Sequence, residues 1–152
     1  MDVWQKRALL GLDLLRKHEL VSPDHLAAIG YCFGGATVMQ MAYAGADLDG
    51  VVSFHGSLPP ATEEQRKNIK SKILIAHGNA DGFVPAERVA AFKDALENAG
   101  VDWQMMIYSG ARHGFTNPDA GKYGLEGIAY DEKADQRSWA LMQSFFEEIF
   151  AD

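Results

Sequence analysis

Short apolar runs alternate along this chain with longer segments in which apolar residues recur at helical spacing. The runs 26–31, 51–55, 72–77 and 102–108 predict four strands. In the last of them Trp103, Met105 and Ile107 alternate with Gln104, Met106 and Tyr108, and the first set is expected in the core. Over 3–18, Trp4, Ala8, Leu12 and Leu15 share one helical face with Leu9 beside it. Lys17 and His18 follow at the end where the helix dipole favours cations. The segment 34–44 is apolar nearly all round (Ala36, Val38, Met39, Met41, Ala42, Tyr43), as in a helix buried on several sides, and Gly45 suits its C-terminal cap. A helix is predicted from Pro85 to residue 98, closed by Gly100. A last helix starts at Asp131-Glu132 and carries Leu141, Phe145 and Ile149 on one stripe, with Met142 beside it.

The remaining segments carry turn chemistry. Residues 56–70 contain Pro59-Pro60 and a charged run, Glu63 to Lys67, that reads as a solvated face. Residues 109–130 hold five glycines, a proline and an asparagine, and a loop of that length inside one domain is usually functional. The order of elements indicates a single α/β domain over 1–152 with a mostly parallel sheet and flanking helices. Ligands bind such sheets at the C-terminal ends of the strands.

Composition narrows the chemistry. A net charge of −7 with no basic cluster argues against nucleic acid as a partner. No apolar run reaches the ~18 residues of a membrane span, and the first residues lack a signal-peptide core, so no membrane partner and a cytoplasmic location are expected. One cysteine excludes an internal disulfide and any cysteine-rich zinc site, and the five scattered histidines contain no H-x-x-x-H pair, so a metal site is not expected.

That cysteine has a distinctive setting. Gly30-Tyr31-Cys32-Phe33-Gly34 lies between a strand and a helix and fits the nucleophile-elbow pattern, with cysteine where serine is usual. A turn this sharp is expected to leave no room for a Cβ at Gly30 or Gly34. It sets Cys32 at a helix N-terminus, whose free N–H groups favour a thiolate. A lone cysteine in an apolar run also serves as a small buried hydrophobe, so its partners decide the matter. A thiol nucleophile needs a base, and the base an orienting acceptor. Asp81 and His113 follow strands three and four, giving the chain order nucleophile, acid, histidine. His55 and His77 also end strands, but each precedes a glycine and reads as a structural turn contact. Arg112 reads as a surface residue, and His18 and His25 as exposed.

Three motifs, Gly30-Tyr-Cys-Phe-Gly-Gly35, His77-Gly-Asn-Ala-Asp81 and His113-Gly-Phe115 followed by Asn117-Pro118, resemble those of the dienelactone hydrolase family of α/β-hydrolases. The resemblance extends over essentially the whole chain. It implies Cys32 as nucleophile, His113 as general base and acid, Asp81 as its orienter, and small esters, lactones or thioesters cleaved through an acyl-enzyme without a cofactor. It also implies a block before residue 1, with the first strands of the sheet and one oxyanion-hole donor. This chain would correspond to the C-terminal portion of the fold. The N–H of Phe33 is then the donor that remains, and loss of one donor typically costs ~10²–10³ in rate. Where the dienelactone enzymes carry an arginine for the substrate carboxylate, this sequence reads Phe115-Thr-Asn-Pro118.

A second reading is a truncated, catalytically impaired domain that binds small acyl ligands or a partner subunit. A third, a flavodoxin-like binding domain, fits the length and leaves the three motifs unexplained. Without strands beside it, the apolar run Leu26-Ala-Ala-Ile29 becomes a sheet edge, and Trp4 and several leucines lose cover. Self-association through that edge is therefore expected.

Overall fold

Every strand is followed by a crossover that returns the chain to the same end of the sheet, so all four strands run parallel. The computed structural model describes residues 3–151. In chain order the elements are α1 (Val3–Arg16), β1 (Ala27–Tyr31), α2 (Phe33–Tyr43), β2 (Gly50–Phe54), α3 (Glu63–Arg66), β3 (Lys72–Gly78), α4 (Ala86–Glu97), β4 (Trp103–Tyr108), a 3₁₀ turn (Ala120–Tyr123) and α5 (Glu132–Ile149). The sheet order is β1-β2-β3-β4, with Ile29, Val52, Leu74 and Gln104 in register across it. Right-handed crossovers between neighbouring parallel strands place α2 and α4 on one face.

The alternation of β2 and β3 builds a core on each face. Val51, Ile73 and Ile75 pack with Met39 of α2 and with Phe92 and Leu96 of α4, and Ala8, Leu9 and Leu12 of α1 close over them. Val52, Phe54 and Leu74 point the other way, against Met142 and Phe145 of α5. Phe92 is wholly buried. Truncating such a side chain to Ala costs about 3–5 kcal/mol, a large part of a small domain's stability. Because α5 packs on β2 and β3, the same face of β1 lies open and Ile29 is 42% exposed.

Several expectations change here. Ile107 is 45% exposed rather than core, because β4 is an edge strand, and Tyr108 on the opposite face is buried in the core that packs against α5. Leu15 is half exposed and Gln5 takes the buried position on α1, donating through Nε2 to the Gln40 carbonyl at 2.8 Å. Trp4 is half buried, its ring 5.2 Å from that of Phe33. The run Glu63 to Lys67 contains one exposed helical turn, capped reciprocally by Thr62 and Gln65. The long loop 109–130 has local order from the 3₁₀ turn and a bridge between His113 and Ile128. Among the described residues, no helix is long and apolar enough to cross a membrane.

Candidate active site

The junction of β1 and α2 sets Cys32. Cys32 has φ 55° and ψ −117°, a left-handed conformation rare outside glycine that typically costs ~1–3 kcal/mol and persists only where its surroundings impose it. Gly30 makes room: a Cβ there would run into the Gly34 carbonyl oxygen. The second indispensable glycine is Gly35, not Gly34. A Cβ on Gly35 would lie 2.9 Å from Gly56 Cα, whereas one on Gly34 would meet open space. The close approach is that of α2 to the end of β2, a contact between elements that the five-residue turn motif does not contain.

Cys32 is exposed, and its Sγ lies 3.1 Å from His113 Nε2. His113 Nδ1 lies 2.9 Å from Asp81 Oδ2 and donates to it, which leaves Nε2 turned to the sulfur. Asp81 is only 5% exposed, and its other oxygen accepts the Phe83 N–H at 3.0 Å, which fixes the carboxylate in its turn. The loops after β1, β3 and β4 thus bring all three predicted residues together on one rim.

The electrostatics follow this geometry. The hydrogen bond to Asp81 raises His113 to about 9, overcoming burial, and its contact with Cys32 adds to the rise. For Asp81, burial pushes the carboxyl up. Hydrogen bonds from His113 and the Phe83 N–H, with the nearby charges of His113 and His77, outweigh it and hold the group below the usual range. At neutral pH Asp81 is ionised and His113 carries the proton. Phe33 opens α2, so its N–H has no acceptor within the helix.

His55 is more than a turn contact. It sits at the end of β2 with φ 39°, is 3% exposed, and lies against the His113 ring at 5.2 Å. Its Nδ1 accepts the Cys32 N–H at 3.2 Å, and its Nε2 is 2.8 Å from Thr116 Oγ1. The sequence signal for this role is slight: a histidine ends the strand that neighbours the one carrying the nucleophile. His77 is buried, and its Nδ1 finds no hydrogen-bond partner among the described residues, so the expected turn contact is not made through that nitrogen. Arg112, His18 and His25 are exposed, and the His25 ring meets that of Phe150 edge-on.

A cavity of about 670 Å³ opens beside Cys32 and His113, walled by the loop 114–128 and by α5. Among the described residues, no three His, Cys, Asp or Glu side chains are grouped to hold a metal ion.

The sequence model of the dienelactone hydrolase family matches residues 3–150. The chain belongs to that family. An uncharacterised Caenorhabditis elegans protein, K02A2.1, is 31% identical over 142 residues, covering 92% of this chain and 90% of its own. Hydrolase tropI of Talaromyces stipitatus is 29% identical over 82% of this chain and 43% of its own. Among solved structures, the dienelactone hydrolase-like promiscuous phosphotriesterase P91, from metagenomic libraries, superposes with a TM-score of 0.94 at 41% identity, over 97% of this chain and 62% of that one. The chain thus spans most of one relative and about two fifths to three fifths of the other two.

Proposed function

We propose that the chain cleaves small carboxylic esters, lactones or thioesters through a Cys32–His113–Asp81 triad and an acyl-enzyme. The observation that carries this reading is the pair of contacts through one imidazole, 3.1 Å to the Cys32 sulfur and 2.9 Å to the Asp81 carboxylate. A thiolate held beside an imidazolium attacks the acyl carbon, and the carbonyl electrons move to oxygen, where the Phe33 N–H donates to the developing charge. As the tetrahedral adduct collapses, the C–O or C–S bond to the leaving group breaks and His113 Nε2 gives that group its proton. This leaves a thioester on Cys32 and a neutral His113. Nε2 then takes a proton from water as the water attacks the thioester. Release of the acid restores thiolate and imidazolium. Asp81 keeps its charge throughout and holds the ring in the tautomer this requires. No group outside the chain and water enters the cycle.

The test is p-nitrophenyl acetate turnover followed by intact-mass analysis. The expected result is release of p-nitrophenol, an acetyl group on Cys32 during turnover, and loss of both in Cys32→Ala. Turnover unchanged in Cys32→Ala would overturn the proposal. Ester binding without turnover would favour the acyl-binding reading.

A further inference from the structure

The cavity beside Cys32 is walled by apolar side chains, among them Pro118, Leu125, Ile128 and Trp139, and one full charge faces into it from α5. That charge is Asp135. Among the described residues lining the cavity it is the only carboxylate, and no lysine or arginine lines it. Its Oδ2 accepts the Tyr130 hydroxyl at 3.1 Å, which anchors the carboxylate, and no ion pair to it is formed among the described residues. The cation at the cavity mouth, His113, is already engaged by Asp81 on one side and Cys32 on the other. Nothing else there compensates a second negative charge.

We propose that this cavity receives the substrate's acyl group, that it favours groups that are apolar or end in a cation, and that Asp135 turns away groups carrying a carboxylate. The proposal rests on the hydrolytic reading for what occupies the cavity. The physical basis is Coulombic: two like charges sharing a cavity of low polarity repel, and water cannot fully screen them. A second observation places the field of Asp135 at the nucleophile's end of the cavity. Tyr31, the residue before Cys32, has its phenol pushed up, first by burial and then by the negative charge of Asp135. Thr116 and Asn117, which also line the cavity, supply hydrogen bonds to a substrate but no positive charge.

Two measurements separate this proposal from the one it rests on. In the first, kcat/KM is compared for three p-nitrophenyl esters of matched length: valerate, the glutarate monoester, and 4-(trimethylammonio)butyrate. In the second, Cys32 is labelled with methanethiosulfonates bearing ethylsulfonate or ethyltrimethylammonium tails. There the thiolate attacks the sulfenyl sulfur, a mixed disulfide forms and methanesulfinate leaves, so no turnover is needed. The expected result is a preference for the cationic over the anionic reagent, relative to a free small thiol, of about tenfold at low salt. It should collapse in Asp135→Asn and survive in Asp135→Glu. Equal relative labelling rates, or a preference unchanged in Asp135→Asn, would overturn charge selection even if all three esters turn over. Absence of ester turnover with the labelling preference intact would overturn the hydrolytic reading and leave charge selection standing.

Discussion

His55 accepts the backbone N–H of Cys32 through Nδ1 at 3.2 Å. This contact fixes the tautomer. With Nδ1 accepting, Nε2 carries the proton and donates it to Thr116 Oγ1 at 2.8 Å. Thr116 lies three residues beyond His113, so one buried imidazole ties the loop of Cys32 to the loop of His113. The Cys32 N–H is shared with the Phe54 carbonyl at 3.0 Å, and His55 braces the two loops from beneath as a neutral ring. Protonation at Nδ1 would set one N–H against another.

Burial holds His55 at about 4, with the charge of nearby His113 adding to the effect, against an ordinary 6.5. The folded chain therefore resists a proton that the unfolded chain accepts. The stability His55 supports is fully present above pH 6.5 and is lost as pH falls through 6.5 toward 4, by about 3 kcal/mol in all. The urea midpoint of the wild type should drop between pH 7 and 4.5 by more than that of His55→Gln, which has no proton to gain. Parallel drops would show that His55 is not held neutral by the fold.

The Asp81 hydrogen bond is the largest contribution holding His113 at about 9. Removing the carboxylate charge in Asp81→Asn should bring His113 down toward its ordinary 6.5. Below its pKa, His113 carries the proton that the leaving group needs, so kcat/KM should fall on an alkaline limb near pH 9 in the wild type. In Asp81→Asn that limb should begin at lower pH, with the plateau reduced roughly 10²–10⁴-fold. NMR titration of the His113 ring gives the same shift without relying on turnover. A ring that titrates alike in both proteins would remove Asp81 from the orienting role.

The strands, the main helices and the meeting of Cys32, Asp81 and His113 were legible because each has a local signature. Strand and helix periods are written in the order of apolar residues, and Cys32, Asp81 and His113 each sit in a glycine-rich turn directly after a strand. What was not legible depends on which elements become neighbours. Gly35 matters because α2 passes against Gly56, His55 because β2 lies beside β1, and Asp135 because α5 folds back over the loop that follows β4. Ile107 misled for a related reason: alternation identifies two faces of β4, but edge position and the neighbouring elements decide how well each is covered. Local pattern located Cys32, Asp81 and His113, and tertiary placement supplied the residues that hold and surround them.

The open side of β1 leads to the last expectation. β1 ends the sheet, so its outward N–H and C=O groups meet no strand among the described residues. Ile29, 42% exposed where α5 stops short of β1, adds apolar surface beside that edge, and on α1 Leu10 and Leu14 are exposed as well, the latter 73%. No lysine or proline lies within β1 to blunt pairing. We propose that two copies join by their β1 edges about a two-fold axis, which makes the new strand pair antiparallel and extends both sheets into one. Sedimentation equilibrium at micromolar concentration should then give about twice the 16.7 kDa chain mass. Ile29→Lys, which sets a like charge from each copy beside the shared edge, should shift the equilibrium at least about tenfold toward monomer, with the thermal transition still cooperative. A wild-type protein that sediments at the single-chain mass and melts cooperatively would sink the dimer and show that β1 is stable as a free edge.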